Sequence, residues 1–282
     1  MIMTVLGGDT RSVYLVSRLV ADGHTVHTYG LETAAVPKAC HCADLATALR
    51  GSDCVVLPIP AVKDGILNTP FGSQAICLTE LVNTLPEAVP IFAGAPGKVL
   101  SELCAKHGLR LIDLLTIETL TLKNAALTAE CALGLVIQEV PYTLMGEPVL
   151  ILGAGRIGRQ LAVRLHALGA KVTISSRNGT DKTWCAAHSL SSADTYGLAP
   201  LLPKHRLVIN TIPARVLDAG QMAALPSGAL LVELASAPGG FDPNAAANLG
   251  LQVLPAGGLP GKFAPESAAN AIAETIYSYF VR

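Results

Sequence analysis

The stretch VLILGAGRIGRQLAVRLHALG, residues 149–169, decides how the chain is read. Four apolar residues run into Gly153, Gly155 and Gly158, and from Arg156 onward apolar positions recur at helical spacing until Gly169 ends the pattern. A G-x-G-x-x-G run alone is weak, because glycines gather in turns. Between a strand and an amphipathic helix, each glycine has a physical role. Gly153 permits the tight turn, Gly155 lets a pyrophosphate approach the N–H groups at the helix start, and Gly158 lets helix and strand pack closely. Arg156 and Ile157 fall within the same cradle. The competing reading is a strand-helix turn that binds nothing; the agreement of strand, loop and helix favours a dinucleotide.

The next strand, KVTISSRN at 171–178, ends where many dinucleotide-binding chains place an acid. Here Ser175, Ser176, Arg177 and Asn178 offer hydroxyls and a guanidinium, which suit a 2′-phosphate and favour NADP over NAD. The alternative is a surface arginine beside a solvated turn, with Asp181 curling back toward the ribose.

Outward from this unit, VLILG, AKVTISS, LVINTIP, LLVELAS and LQVLPAGG read as short apolar strands separated by helical stretches. The N-terminal part repeats the alternation with IMTVLGG, TVHTYG, CVVLPIP, VPIFAG and LRLIDLL. The fold class expected is α/β: two doubly wound parallel-sheet domains, one flavodoxin-like and one Rossmann type that binds NADP, joined by a long helix. The boundaries fall at 1–118, 119–141 for the helix and 142–264, with a C-terminal helix over 265–282 packing back on the first domain.

The 282 residues are 51% hydrophobic, 15% charged, and carry a formal charge of −1. The balance gives no bulk attraction for nucleic acid or anionic lipid. Polar residues, Gly or Pro interrupt the apolar runs and MIMTVLGG lacks the build of a signal peptide, so the expectation is a soluble cytoplasmic protein. Seven scattered cysteines suit reduced, buried thiols, and Cys40-His41-Cys42 is too poor in ligands for a zinc site. No metal is expected.

Ligands of open α/β sheets gather beyond the strand C-termini. That places Gly8, Asp9, Arg11, the PIPA around Pro58 and the AGAPGK around Gly94 on one rim of an expected interdomain cleft. Asn210, Thr211, Ile212 and Pro213, Glu233 to Ser236 with Ala235, and Gly257 to Lys262 form the other. GGDTRS at 7–12 lacks the third glycine and Glu32 is loosely placed for a ribose, so the simpler reading of the first domain is one without cofactor. Arg11 and Lys262 are candidate carboxylate binders, and Gly258, Leu259, Pro260 and Gly261 the loop beside them. No histidine falls clearly in a cleft loop, which leaves Asp9, Glu130 or water as proton acceptor. Thr211, Ala235 and Ser236 are small enough to lie against a nicotinamide.

These motifs resemble one family, the A subunit of dipicolinate synthase of spore-forming bacteria. The resemblance rests on GGDTR at 7–11, Asn124, Thr128 and Glu130 in the linking helix, GAGRIGR at 153–159, NTIP at 210–213, LASAPGGFD at 234–242 and GLPGKFAP at 258–265. It departs where the family's Pro-Thr-x-Glu-Gly has Leu127 and Cys131 at its outer places. It implies oxidation of a dihydrodipicolinate-type ring to pyridine-2,6-dicarboxylate with NADP as hydride acceptor, during sporulation. It also implies a B subunit resembling a flavoprotein. Two other readings stay open, another NADP dehydrogenase of a small carboxylic acid and a non-catalytic cofactor-binding partner.

Overall fold

The computed structural model describes residues 1–36 and 38–281. Its first sheet is built from β1 (Ile2–Leu6), β2 (Thr25–Tyr29), β3 (Cys40–His41), β4 (Cys54–Val56), β7 (Ile91–Ala93) and β8 (Leu111–Asp113). An antiparallel hairpin of β5 (Val62–Lys63) and β6 (Ile66–Leu67) interrupts the run. The six strands of the sheet pair in parallel, in the order β3-β2-β1-β4-β7-β8. The second sheet, β9 (Pro148–Leu152), β10 (Lys171–Ser176), β11 (Ser191–Asp194), β12 (Leu207–Asn210), β13 (Leu230–Glu233) and β14 (Gln252–Pro255), has the order β11-β10-β9-β12-β13-β14.

Hairpin aside, both orders read 3-2-1-4-5-6, with the chain reversing its direction of winding beside the first strand. The expectation of two doubly wound parallel sheets holds. In the first sheet, removing the two-residue β3 would leave 2-1-3-4-5, the flavodoxin-like order; this short exposed edge strand makes the windings alike.

Between the strands run α1 (Thr10–Ala21), α2 (Leu45–Leu49), α3 (Leu78–Thr84), α4 (Gly97–Lys106), α5 (Glu118–Glu139), α6 (Arg156–Ala167), α7 (Gly179–Ala187), α8 (Ala219–Met222) and α9 (Pro243–Asn248). Two more, α10 (Leu259–Phe263) and α11 (Pro265–Phe280), follow; residue 282 of the expected C-terminal helix lies outside the described residues. The chain divides into two compact units, Met1–Asn124 with the residues from Pro260 onward, and Ala125–Leu259.

Strands buried on both faces need apolar residues at nearly every position. In β9, Val149 and Ile151 enter one core layer while Leu150 and Leu152 enter the other. In β1, Thr4 is the polar exception, and its hydroxyl donates to the Ala48 carbonyl at 2.7 Å. Leu15, Val16 and Leu19 of α1 share a core with Ala269, Ile272 and Ile276 of α11. Polar ties reinforce that pairing: Arg18 donates to Asn270 at 3.1 Å and the Tyr277 hydroxyl to Asp22 at 2.6 Å. Arg18 Nε also donates to Asp22 at 2.7 Å, and the Tyr277 hydroxyl, then Arg18, outweigh desolvation and hold the Asp22 carboxyl below the usual carboxylate range.

The helix α5 departs from the expectation that every apolar run is broken short. By length and composition it could cross a membrane, with a mean hydropathy of 1.4 over its best window. Ala125, Ala129, Ala132 and Val136 are nonetheless buried at helical spacing, the last three within the core of the second unit.

Candidate functional site

In the second unit the turn after β9 opens onto a groove of about 610 Å³. Gly153, Ala154 and Gly155 line it with Ser175, Ser176, Arg177, Asn178, Gly179, Asp181, Thr195, Thr211, Ile212 and Pro213. Gly153 sits at φ +102°, where a Cβ would lie 2.6 Å from the Thr211 hydroxyl. A Cβ on Gly158 would collide with the Gly153 carbonyl oxygen, so helix and turn touch there as the fingerprint requires. Gly155 is different: a Cβ there would meet nothing within 4 Å, and no side chain caps α6, which starts after it. An open glycine before an uncapped 12-residue helix fits a pyrophosphate, whose charge the helix N-terminus favours.

Thr211 donates to the Leu152 carbonyl at 2.8 Å, which pins the loop after β12 to the first strand. Sequence reasoning missed the network beneath. The fully buried Asn210 donates to Ile212 O at 2.8 Å and to Glu233 Oε1 at 2.6 Å, and accepts from Ile212 N at 3.1 Å. Glu233 also accepts from the amides of Ala235 at 3.1 Å and Gly240 at 2.7 Å. One carboxylate and one amide therefore shape both loops. Ala235 and Ser236 follow β13 outside the groove lining; Arg156, Ile157 and Gly158 belong to the first turn of α6.

At the far end of the groove the serine pair is already engaged. Ser175 is fully buried, its hydroxyl accepting from Thr195 at 3.4 Å, and Ser176 gives its proton to Asp181. Of that trio only Arg177 is exposed, with Nη1 donating to the Tyr196 hydroxyl at 3.3 Å. Asn178 caps α7 by accepting from Thr180 N at 2.9 Å. The expectation of two free hydroxyls is thus corrected, because the carboxylate comes from α7 rather than the strand end.

In the first unit, Gly8, Asp9, Arg11 and Gly261 come together. Asp9 caps α1 and accepts from Arg11 Nη2 at 2.8 Å, while that nitrogen also donates to the Ile59 carbonyl. A Cβ on Gly261 would lie 2.9 Å from both Asp9 Oδ2 and Arg11 Nε. Asp9 and Arg11, expected as separate proton acceptor and carboxylate binder, are one internal ion pair. Lys262 is exposed in the last turn of α10, Gly258 is open at φ +67°, and Leu259 and Pro260 are buried. Glu130 is exposed and Asn124 half-buried, both on α5. The ring of His41 engages the Thr28 hydroxyl at 2.9 Å and the Val36 carbonyl at 3.3 Å. Among the described residues no group of three or more His, Cys, Asp or Glu could hold a metal ion.

Two family models match parts of the chain. Residues 3–115 match the N-terminal domain of the dipicolinate synthase A subunit, and residues 136–239 the NAD binding domain of D-isomer specific 2-hydroxyacid dehydrogenases. The A subunit of dipicolinate synthase from Bacillus subtilis (strain 168) is 27% identical over 265 residues, covering 91% of this chain and 88% of the relative. The crystal structure of its counterpart from Bacillus halodurans superposes with a TM-score of 0.89 at 27% identity, covering 100% of this chain and 98% of the other. The one from Bacillus subtilis gives 0.89 and 27%, with 100% and 96% covered. The second unit carries a Rossmann-type domain for a nicotinamide dinucleotide, and the chain resembles the A subunit of dipicolinate synthase along its whole length.

Proposed function

We propose that the chain is the oxidoreductase component of a dipicolinate synthase, oxidising a dihydrodipicolinate-type ring to dipicolinate with NADP. The reading places it in the mother-cell cytoplasm during sporulation, beside a flavoprotein-like B subunit. The observation that carries it is the open, uncapped glycine turn of the second unit, in a chain similar throughout to the dipicolinate synthase A subunit.

The dinucleotide, when bound, supplies the hydride acceptor. The chain's own residues would hold and orient it: the amides at the start of α6 would take the pyrophosphate, and Arg177, in the groove lining, would take a 2′-phosphate. Thr211 fixes the loop Ile212–Pro213, which lines the groove. The substrate loses two hydrogens, one with its electron pair and one as a proton. Because the product is aromatic, a weak base suffices, and Glu130 or water fills that role. Lys262 is the exposed cation for a substrate carboxylate; Arg11, paired with Asp9, orders the loop beside it.

The test is to purify the chain alone and measure NADP reduction with the dihydrodipicolinate mixture, then repeat with the B subunit. Reduction by the chain alone supports the reading. Reduction that needs the B subunit, with dinucleotide bound by this chain, favours a cofactor-binding partner instead.

A further inference from the structure

Among the groove-lining residues, Asp181 is the only acid and Arg177 the only base. They stand four positions apart on one loop and helix start, and each is braced by a residue outside the fingerprint. Asp181 Oδ1 accepts from Arg159 Nη2 at 2.6 Å, and Oδ2 takes the Ser176 hydroxyl. Arg159 is fixed in turn, with Nε donating to the Ala154 carbonyl at 2.9 Å and the guanidinium 4.9 Å from the Trp184 ring centroid. The Asp181 side chain is 19% exposed, so its charge reaches the groove while its bonds hold its direction. The Ser176 hydroxyl, which spends its proton on Asp181 and accepts from Asn178 N at 3.0 Å, has no proton left for a phosphate.

We propose that Asp181 is the specificity-determining residue of the groove, opposing the 2′-phosphate that Arg177 attracts and accepting a free 2′-hydroxyl in its place. Cofactor choice is then the balance of these two charges, with Arg159 and Ser176 as positioning residues. A free ribose hydroxyl can donate to a carboxylate, whereas a phosphate dianion beside it is repelled. The proposal rests on the reading that this groove binds a nicotinamide dinucleotide.

The chain's single tryptophan, Trp184, stacks on His188 at 4.1 Å and lies under Arg159, so its fluorescence can report binding in the intact chain. Dissociation constants for NAD and NADP are measured for wild type, Asp181→Asn and Arg159→Met. Asp181→Asn is expected to shift the affinity ratio toward NADP by about tenfold or more, the effect of removing one close like charge. Arg159→Met, which leaves the carboxylate less compensated, shifts the ratio toward NAD. A ratio unchanged in Asp181→Asn, or moved toward NAD, overturns the proposal; if that variant does not fold, an Arg159→Met ratio unmoved or shifted toward NADP does so. Wild type that binds neither dinucleotide sinks the underlying reading and this proposal with it, a result visible before any variant is made.

Discussion

The two glycine turns, GGDTRS at 7–12 and GAGRIG at 153–158, follow the first strands of two sheets wound alike; the second lines the groove of about 610 Å³, and the two differ in what surrounds them. In the second unit no side chain caps α6 and the space before Gly155 is open. In the first, Asp9 caps α1 and Gly8 donates to the Asn68 carbonyl at 2.9 Å. A Cβ on Gly7 would press on Thr69 at 2.5 Å. Glu32, at the place of a ribose-binding acid, accepts from Gly30 N at 2.6 Å and Ser73 N at 2.9 Å. Desolvation raises its affinity for a proton, but the amides of Ser73 and Gly30 outweigh that and hold its carboxyl below the usual range. The segment from Asn68 to Ser73 thus occupies the donors and acceptors that a nucleotide would need. Winding provides a place for a ligand; an uncapped helix start and empty space decide whether one can enter.

The largest effect should come from Gly155→Val. With nothing within 4 Å, the substitution should leave thermal stability near wild type while weakening dinucleotide binding roughly a hundredfold or more by blocking the pyrophosphate approach. Calorimetric titration that found wild-type affinity would erase the contrast between the turns. Next, Arg177→Ala should weaken NADP by roughly tenfold, the worth of one charge-assisted hydrogen bond, and leave NAD nearly unchanged. Equal losses for both would remove Arg177 from the phosphate's surroundings.

Gly8→Ala sharpens the comparison from the other side. At φ +99° its Cβ would collide with Ser12, so unfolding should become about 1–3 kcal/mol easier, while the folded variant still titrates one dinucleotide per chain. A second bound equivalent in wild type would mean that the first turn is a site as well. The smallest effect is pH-dependent. The Ser176 hydroxyl, then Arg159, keep the Asp181 carboxyl below its ordinary range despite burial. A depressed folded value contributes stability above the unfolded value near pH 4 and loses it as pH falls through the folded one. The melting-temperature gap between wild type and Asp181→Asn should therefore close below about pH 4.

Ten of the twelve strands of the two sheets were legible, because each is an apolar run, as a parallel sheet with helices on its faces requires. The two that were not, β3 and β11, are the edge strands beside β2 and β10. Cys40–His41 has two exposed residues, and Ser191–Asp194 is polar with three of its four residues exposed. A strand that faces water leaves no hydrophobic signal. The cradle at 153–158 was legible because its chemistry is local. The Ser176–Asp181–Arg159 and Asn210–Glu233 bonds were not, since each joins residues whose spacing follows no period and whose partners only the folded sheet supplies. Arg11 misled for the same reason: its partner Asp9 is two residues away, but its second acceptor, the Ile59 carbonyl, is not.

The helix α11 has a consequence for how the molecule is made. The second unit is one continuous piece of chain, whereas the first closes its core only with Ile272 and Ile276, which a ribosome delivers after the whole of the second. Domains that are contiguous in sequence fold as they emerge, so the later-numbered unit completes itself first and the N-terminal one waits, incomplete, for its last helix. A chain stopped just after Leu259 would leave Leu15, Val16 and Leu19 without their partners, making premature termination there a route to aggregation rather than to a usable half-protein.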